Sequence, residues 1–146
     1  MQETPLIVPL TEMEYWEPDE KLEINHKDNN YRLVVYTDSS QCTQCFISHL
    51  SDWYELLSLE RNGKLNVTFI IEPPSTQYDK TMERINNAQF FHPLYIDSNC
   101  QLRKNNPQIP NESMFHTFLL NKNNQIVLVG NPLHNNQIEK MIKEII

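Results

Sequence analysis

Glycine is nearly absent from this chain of 146 residues, which has only Gly63 and Gly130. Loops that bind phosphate groups need several glycines at fixed positions, so the sequence excludes a Walker A loop and a dinucleotide fingerprint. Asparagine is abundant instead, and it adopts left-handed backbone more readily than most residues that carry a side chain. We therefore expect asparagine to occupy many of the turns.

Long apolar runs and clustered basic residues are missing as well. No stretch of about 18 consecutive apolar residues occurs, so no membrane-spanning helix is predicted. The chain has 12 lysines and arginines against 19 aspartates and glutamates, a net charge of −7. Nucleic-acid binding needs a basic patch, and none is present, so we expect no nucleic-acid partner. The length predicts one globular domain with a buried core.

The N-terminal ten residues lack the charged segment and continuous apolar core of a signal peptide. Two expectations stay open. Either the protein is cytoplasmic, or it is a mature form whose export segment has been removed.

Cysteine is also scarce, with Cys42, Cys45 and Cys100 as the full set. An odd and sparse set is unlike a disulfide-stapled scaffold. A second Cys-x-x-Cys pair and a His-x3–5-His pair are both missing, so we predict neither a zinc site nor any other metal site.

The pair Cys42 and Cys45 is the most informative feature present. It follows a strand-like run at 31–37 and opens a helix-like run. A cysteine at a helix start lies among unpaired backbone N–H groups and the positive end of the helix dipole. This environment stabilises the thiolate and makes the thiol reactive at neutral pH. The pattern predicts a redox-active pair.

The remaining periodicity predicts alternating strands and helices. Residues 1–30 have an irregular pattern and read as an arm, packed on the domain through Trp16 and Leu22, while 31–146 form the domain proper. We predict a helix at 43–60 with an apolar face of Phe46, Leu50, Trp53 and Leu57. The other predicted elements are a strand at 65–71, a helix at 76–90, a strand at 92–97, a loop at 98–113, a hairpin of strands at 115–120 and 125–130, and a C-terminal helix.

This order, with Cys-x-x-Cys between the first strand and first helix, resembles the thioredoxin fold. The resemblance is to TlpA-like thiol-disulfide oxidoreductases and the related peroxiredoxin-like group, and it covers about residues 31–146. The runs 117–120 and 125–129 are similar to that family's T-F-L-I-D, turn, G-x-I-V stretch. The resemblance implies an α/β fold of three layers with a mixed sheet, a C-terminal hairpin and a covering helix.

The same resemblance implies roles for individual residues. Cys42 would attack a substrate disulfide and Cys45 would resolve the mixed disulfide, with no bound cofactor and with protein thiols or disulfides as partners. Glu72, at the end of the next strand, is the candidate for proton transfer with Cys45. Gln41, Phe115 and His116 are candidates for the groove that receives the substrate.

Three positions depart from the family pattern. Gln41 stands where the family has tryptophan, Phe115 where it has a cis-proline, and Tyr36 where some thioredoxins have a buried acid. These departures support an alternative function, a redox-silent thioredoxin-fold module that binds a partner or serves as a scaffold.

Other residues also have plainer interpretations. Glu72 could be a solvated carboxylate before the Pro73–Pro74 turn, His49 a surface histidine, and Trp53 a core residue. Cys100 is expected to be a loop thiol, with a resolving role as the alternative. The sequence does not indicate the substrate, the direction of electron transfer or the oligomeric state.

Overall fold

The computed structural model describes residues 5–19, 31–39, 43–110 and 116–146. In this part of the chain, six strands form one sheet in the order β1-β4-β3-β2-β5-β6. The strands are β1 (Glu14–Trp16), β2 (Tyr31–Thr37), β3 (Asn66–Ile71), β4 (Leu94–Ile96), β5 (Thr117–Asn121) and β6 (Ile126–Val129). The helices are α1 (Thr43–Ser48), α2 (Tyr54–Arg61), α3 (Tyr78–Ala88), α4 (Gln101–Asn105) and α5 (Asn136–Ile145).

The sheet is mixed, as the sequence predicts. Strands β2, β3 and β4 run parallel, because helices separate them along the chain. The hairpin β5–β6 pairs antiparallel with β2 through β5, and β1 pairs antiparallel with β4. The predicted α/β fold with a mixed sheet and a C-terminal hairpin is confirmed.

Apolar side chains from alternate strand positions fill two cores, one on each face of the sheet. In β2, Leu33 and Val35 contribute to the larger core, whereas Val34 and Tyr36 contribute to the smaller one. The larger core also contains Trp53, 3% exposed, as predicted from its position on the apolar face. Because both faces of β2 are covered, this strand is a nearly continuous apolar run.

The single helix predicted at 43–60 is wrong, since the structure breaks it into three pieces. Helix α1 ends at Ser48, a 3₁₀ turn spans Leu50–Trp53, and α2 follows. At the break the backbone N–H groups of His49 and Asp52 bond three residues back, to Phe46 and His49. Three-residue spacing tightens the turn and interrupts the regular α-helical hydrogen bonding. The apolar face nevertheless stays buried at Leu50, Trp53 and Leu57.

The predicted loop at 98–113 contains a short helix, α4, so that prediction is wrong in part. The side chain of Asp97 starts this helix by accepting hydrogen bonds from the backbone N–H groups of Gln101 and Leu102, at 2.8 and 3.0 Å. A carboxylate that accepts two free N–H groups is a strong N-terminal cap. Cys100, just before the helix, has left-handed backbone with φ 55°.

The described part of the N-terminal arm packs on the sheet. Leu6 is buried in the smaller core, and its backbone N–H bonds to the carbonyl of Asn124. The amide side chain of Asn106 bonds to both the N–H and the C=O of Ile7. Trp16 packs against the larger core, whereas Leu22 lies outside the described residues, so the division into an arm and a domain stays a prediction.

The β5–β6 hairpin and α5 complete the domain. The turn between the strands uses Asn124 in left-handed backbone, φ 61°, which confirms the expectation for asparagine at this position. The side chain of Asn135 begins α5 by accepting bonds from the N–H groups of Gln137 and Ile138. Gly130, between hairpin and helix, has φ 143°.

Candidate functional site

Cys45 lies in the first turn of α1, after the carboxyl end of β2. It is exposed, whereas Thr43 and Ile47 of the same helix are buried. Among the described cysteines, Cys100 is a free thiol and Cys45 is not. Cys42 and Gln41 lie outside the described residues. Cys45 therefore lies on the surface at the start of the helix.

A shallow depression of about 500 Å³ lies beside Cys45. It lies between the α1–α2 segment and the loop after β6, and its lining residues are Cys45, Phe46, His49, Asp52, Trp53, Asn131, Leu133 and His134. The side chain of His49 is 72% exposed and lies 3.4 Å from Asp52, so the interpretation as a surface histidine is confirmed. Since Phe46 and Leu133 are half-buried, the depression offers apolar surface next to the cysteine.

Glu72 is completely buried directly after β3, so its interpretation as a solvated carboxylate is wrong. Its backbone N–H continues the parallel pairing by donating to the carbonyl of Thr37 at 2.8 Å. The side chain then points to the smaller core, where the hydroxyl of Tyr36 donates to Oε2 at 2.7 Å. The backbone N–H of Ser39 donates to Oε1 at 3.0 Å.

Arg103 of α4 completes the surroundings of Glu72. Its Nε donates to Oε2 at 3.0 Å and its Nη2 donates to Oε1 at 2.6 Å, a bidentate ion pair. The guanidinium is partly exposed and closes the cluster toward solvent. Arg103 also reaches the Cys100 sulfur, with Nη2 3.6 Å from Sγ.

These contacts set the charge of the cluster. Burial raises the pKa of Glu72, but hydrogen bonds from Arg103, Ser39 and Tyr36 outweigh burial and hold that pKa below its ordinary value. Burial and the Glu72 carboxylate raise the pKa of Tyr36, so its phenol stays protonated and donates. The hydrogen bond to Glu72 raises the pKa of Arg103. The cluster is therefore an ionised carboxylate paired with a permanent cation.

His116 lies next to this cluster, just before β5. Its side chain is 2% exposed and its ring centroid is 5.0 Å from that of Tyr36. Nε2 lies 2.6 Å from the carbonyl oxygen of Pro110, and Nδ1 lies 3.8 Å from the carboxylate of Asp38. The ring is buried in this structure. The assignment of His116 to a substrate groove stays a prediction. Phe115 lies outside the described residues.

The structure thus brings Glu72 together with Tyr36, Ser39 and Arg103 at the carboxyl ends of β2 and β3. Sequence reasoning missed Arg103, because a lone arginine in a predicted loop has no periodicity or spacing that marks it. Cys100 precedes α4 and contacts Arg103, which the sequence also could not indicate.

No group of three or more histidine, cysteine, aspartate or glutamate side chains in the described residues is arranged to hold a metal ion. None of the helices in the same residues combines the length and apolar character needed to cross a bilayer.

Comparison with known proteins identifies the fold. No family model and no curated protein matches the sequence. A thioredoxin-like protein solved in its oxidized form is similar over 99% of this chain and 95% of that one, with 17% identity and a TM-score of 0.56. The Xanthomonas campestris bacterioferritin comigratory protein, described for alkyl peroxide reduction, matches 79% of each chain with 16% identity and a TM-score of 0.51.

A mutant of Xylella fastidiosa PrxQ is a third similar structure, with 17% identity, 80% of this chain and 76% of that chain covered, and a TM-score of 0.50. Identities this low show the fold alone. The chain has the thioredoxin-like fold, and the predicted resemblance is confirmed at that level.

Proposed function

We propose that this chain is a thiol-disulfide oxidoreductase that uses Cys42 and Cys45. The observation that carries the proposal is the position of Cys45. It is exposed in the first turn of α1, beyond the carboxyl end of a central strand, and it is not a free thiol. Solved structures with a similar fold include a thioredoxin-like protein described in its oxidized form, which supports redox chemistry at this position.

The reaction follows from the chemistry of paired thiols. The Cys42 thiolate attacks one sulfur of a substrate disulfide, which forms a mixed disulfide and releases the other substrate sulfur as a thiolate. The Cys45 thiolate then attacks the Cys42 sulfur and releases the second substrate thiol. The substrate gains two electrons and the Cys42–Cys45 pair loses two. A protein dithiol that reduces the pair restores the starting state, and the same steps in reverse oxidise a substrate.

The depression beside Cys45 supports a protein substrate. Its apolar surface at Phe46 and Leu133 suits an extended segment that flanks a disulfide. We place the reaction in an oxidising compartment, the periplasm or cell envelope, because protein disulfides persist there. The cytoplasm is the alternative, with a reducing direction.

Alkylation of the fully reduced protein between pH 5 and 10, with mass spectrometry to locate the label, tests the proposal. We expect Cys42 to react with an apparent pKa well below the value of about 8.5 for a free cysteine. Cys42→Ser should abolish reduction of a model disulfide, and Cys45→Ser should accumulate the mixed disulfide. Cys100→Ser is the matched control and should keep full exchange activity.

Two results would contradict the proposal. One is ordinary titration of both Cys42 and Cys45, and the other is failure of the oxidised protein to contain a disulfide between them. Either result would favour the redox-silent binding module, in which Cys42→Ser leaves partner binding unchanged.

A further inference from the structure

We infer that Arg103 and Glu72 are positioning residues for the proposed thiol pair. Glu72 holds the loop between β2 and α1 at Ser39, and Arg103 keeps the Glu72 carboxylate charged and oriented. This inference rests on the proposed function. It gives Glu72 a role different from the proton transfer that the family resemblance implies.

The first argument is that both oxygens of the Glu72 carboxylate already accept hydrogen bonds. Oε1 accepts from the Ser39 backbone and from Arg103, and Oε2 accepts from Tyr36 and from Arg103. An ionised carboxylate has about four lone-pair sites. The four bonds use all of them, so no site is left to accept a proton from a thiol unless a bond breaks.

The second argument is the location of Ser39. It lies three residues before Cys42 and six residues before Cys45. Because Glu72 follows β3 and is fully buried, its carboxylate is a fixed point for the chain at Ser39. The bond to the Ser39 N–H therefore fixes where the chain leaves β2 to enter the loop.

The third argument is charge. A buried carboxylate is costly to keep ionised unless a cation compensates it. Arg103 supplies that cation through two parallel bonds, and its partly exposed guanidinium lies on the solvent side of the carboxylate. Removal of Arg103 would leave a buried charge that either stays uncompensated and draws the carboxylate toward water, or takes up a proton and weakens the bond to Ser39. Both outcomes release the chain at Ser39 and so make the thiol pair less reactive.

The test measures alkylation of Cys42 across pH in the full chain for Arg103→Gln, Arg103→Lys and Glu72→Gln, with Arg61→Gln as the control. Arg61 is an exposed arginine at the end of α2. We expect the rate at pH 7 to fall about tenfold in Arg103→Gln, within the range for residues that act through a network. Arg103→Lys keeps the positive charge but loses the bidentate hydrogen bonds to Glu72, so the alkylation rate of Cys42 should fall less in this variant.

The double variant distinguishes an anchor from a proton acceptor. If Glu72 and Arg103 act as one unit, Arg103→Gln with Glu72→Gln should be no slower than the slower single variant. A proton acceptor would instead show normal Cys42 alkylation in Glu72→Gln and slower release of the mixed disulfide by Cys45. That pattern would overturn the inference, and so would a wild-type pH profile in Arg103→Gln.

The controls separate this inference from the proposed function and from unfolding. An unreactive Cys42 in the wild-type chain would refute the proposed function, whereas a reactive wild type with unchanged variants would refute only the positioning role. Urea unfolding of each variant shows whether it is folded. If Glu72→Gln does not fold, the partly exposed Arg103 supplies the decisive variants, because a merely structural role would lower stability without moving the pH profile.

Discussion

Glu60 shows how one buried side chain can join several segments. It is 4% exposed at the end of α2, and its Oε2 accepts a bond of 2.7 Å from the backbone N–H of Val67 in β3. Its Oε1 lies 2.6 Å from Nε2 of His92, whose Nδ1 lies 2.8 Å from the carbonyl oxygen of Pro93. Helix α2, the start of β3 and the segment before β4 are therefore connected through a single carboxylate.

We predict that Glu60→Ala lowers the free energy of unfolding by about 2–5 kcal/mol, because it leaves the His92 ring nitrogen and the Val67 N–H buried without their hydrogen-bond partner. Urea unfolding at pH 7 measures the change. Glu55→Ala, an exposed glutamate of the same helix, is the control and should change stability by no more than about 0.5 kcal/mol. Equal effects of the two variants would show that the buried contacts contribute nothing.

Residue types at the site were only partly predictable. The sequence could single out Cys42 and Cys45 as candidates, because their spacing and their position before a helix have a local chemical meaning, and the structure describes Cys45 at the start of α1. Glu72 could be placed at the end of a strand, but not assigned its partners. Arg103 lies 31 positions away in sequence, and only the pairing of β2, β3 and β4 brings the two residues together.

At the scale of elements, the apolar pattern was the reliable signal. It predicts β2 (Tyr31–Thr37) correctly and the buried face of the segment at 43–60, because burial imposes a period on the sequence. It could not predict the break between α1 and α2, since a 3₁₀ turn keeps the same residues buried. It also missed α4, a helix of five residues that begins through the side chain of Asp97.

Gly130, between the β5–β6 hairpin and α5, is a position where a side chain would be strained. A Cβ added there would lie 2.9 Å from Cδ1 of Ile138, and its φ of 143° is one that residues with a side chain rarely adopt. We predict that Gly130→Ala lowers the free energy of unfolding by about 1–3 kcal/mol through backbone strain. Thermal and urea unfolding measure the loss.

The double variant Gly130→Ala with Ile138→Val separates the two causes. Valine removes the methyl group nearest to the new Cβ, so recovery relative to Ile138→Val alone would indicate that the side-chain contact dominates. We expect little recovery of the free energy of unfolding, because the end of the Ile138 side chain can move away from the new Cβ whereas the backbone strain at residue 130 remains. An alanine variant as stable as the wild type would contradict the prediction.

For the whole molecule, the ionised Glu72 links stability to pH. Its pKa in the folded protein lies below the ordinary value of 4.5, so folding favours the deprotonated form. The stability it contributes is fully present above about pH 4.5 and is lost as the pH falls through the lower, folded value. We predict that the stability difference between wild type and Glu72→Gln shrinks in the acid range.

Urea unfolding midpoints from pH 7 to pH 3 test this convergence. Glu83→Gln, which changes an exposed glutamate on α3, should give a curve parallel to that of the wild type. A stability difference between wild type and Glu72→Gln that stays constant down to pH 3 would show that the charge of Glu72 does not stabilise the folded protein.

The docking of the N-terminal arm has a consequence for the order of folding. The backbone of Ile7 is held by Asn106, 99 positions later, and that of Leu6 by Asn124. During synthesis, residues 5–9 leave the ribosome long before Asn106 and Asn124 do. The smaller core therefore stays uncovered at Leu6 throughout most of synthesis. The smaller core is therefore covered at Leu6 only after the β5–β6 hairpin has formed. Residues 5–9, the first of the described residues to be synthesised, are among the last to pack.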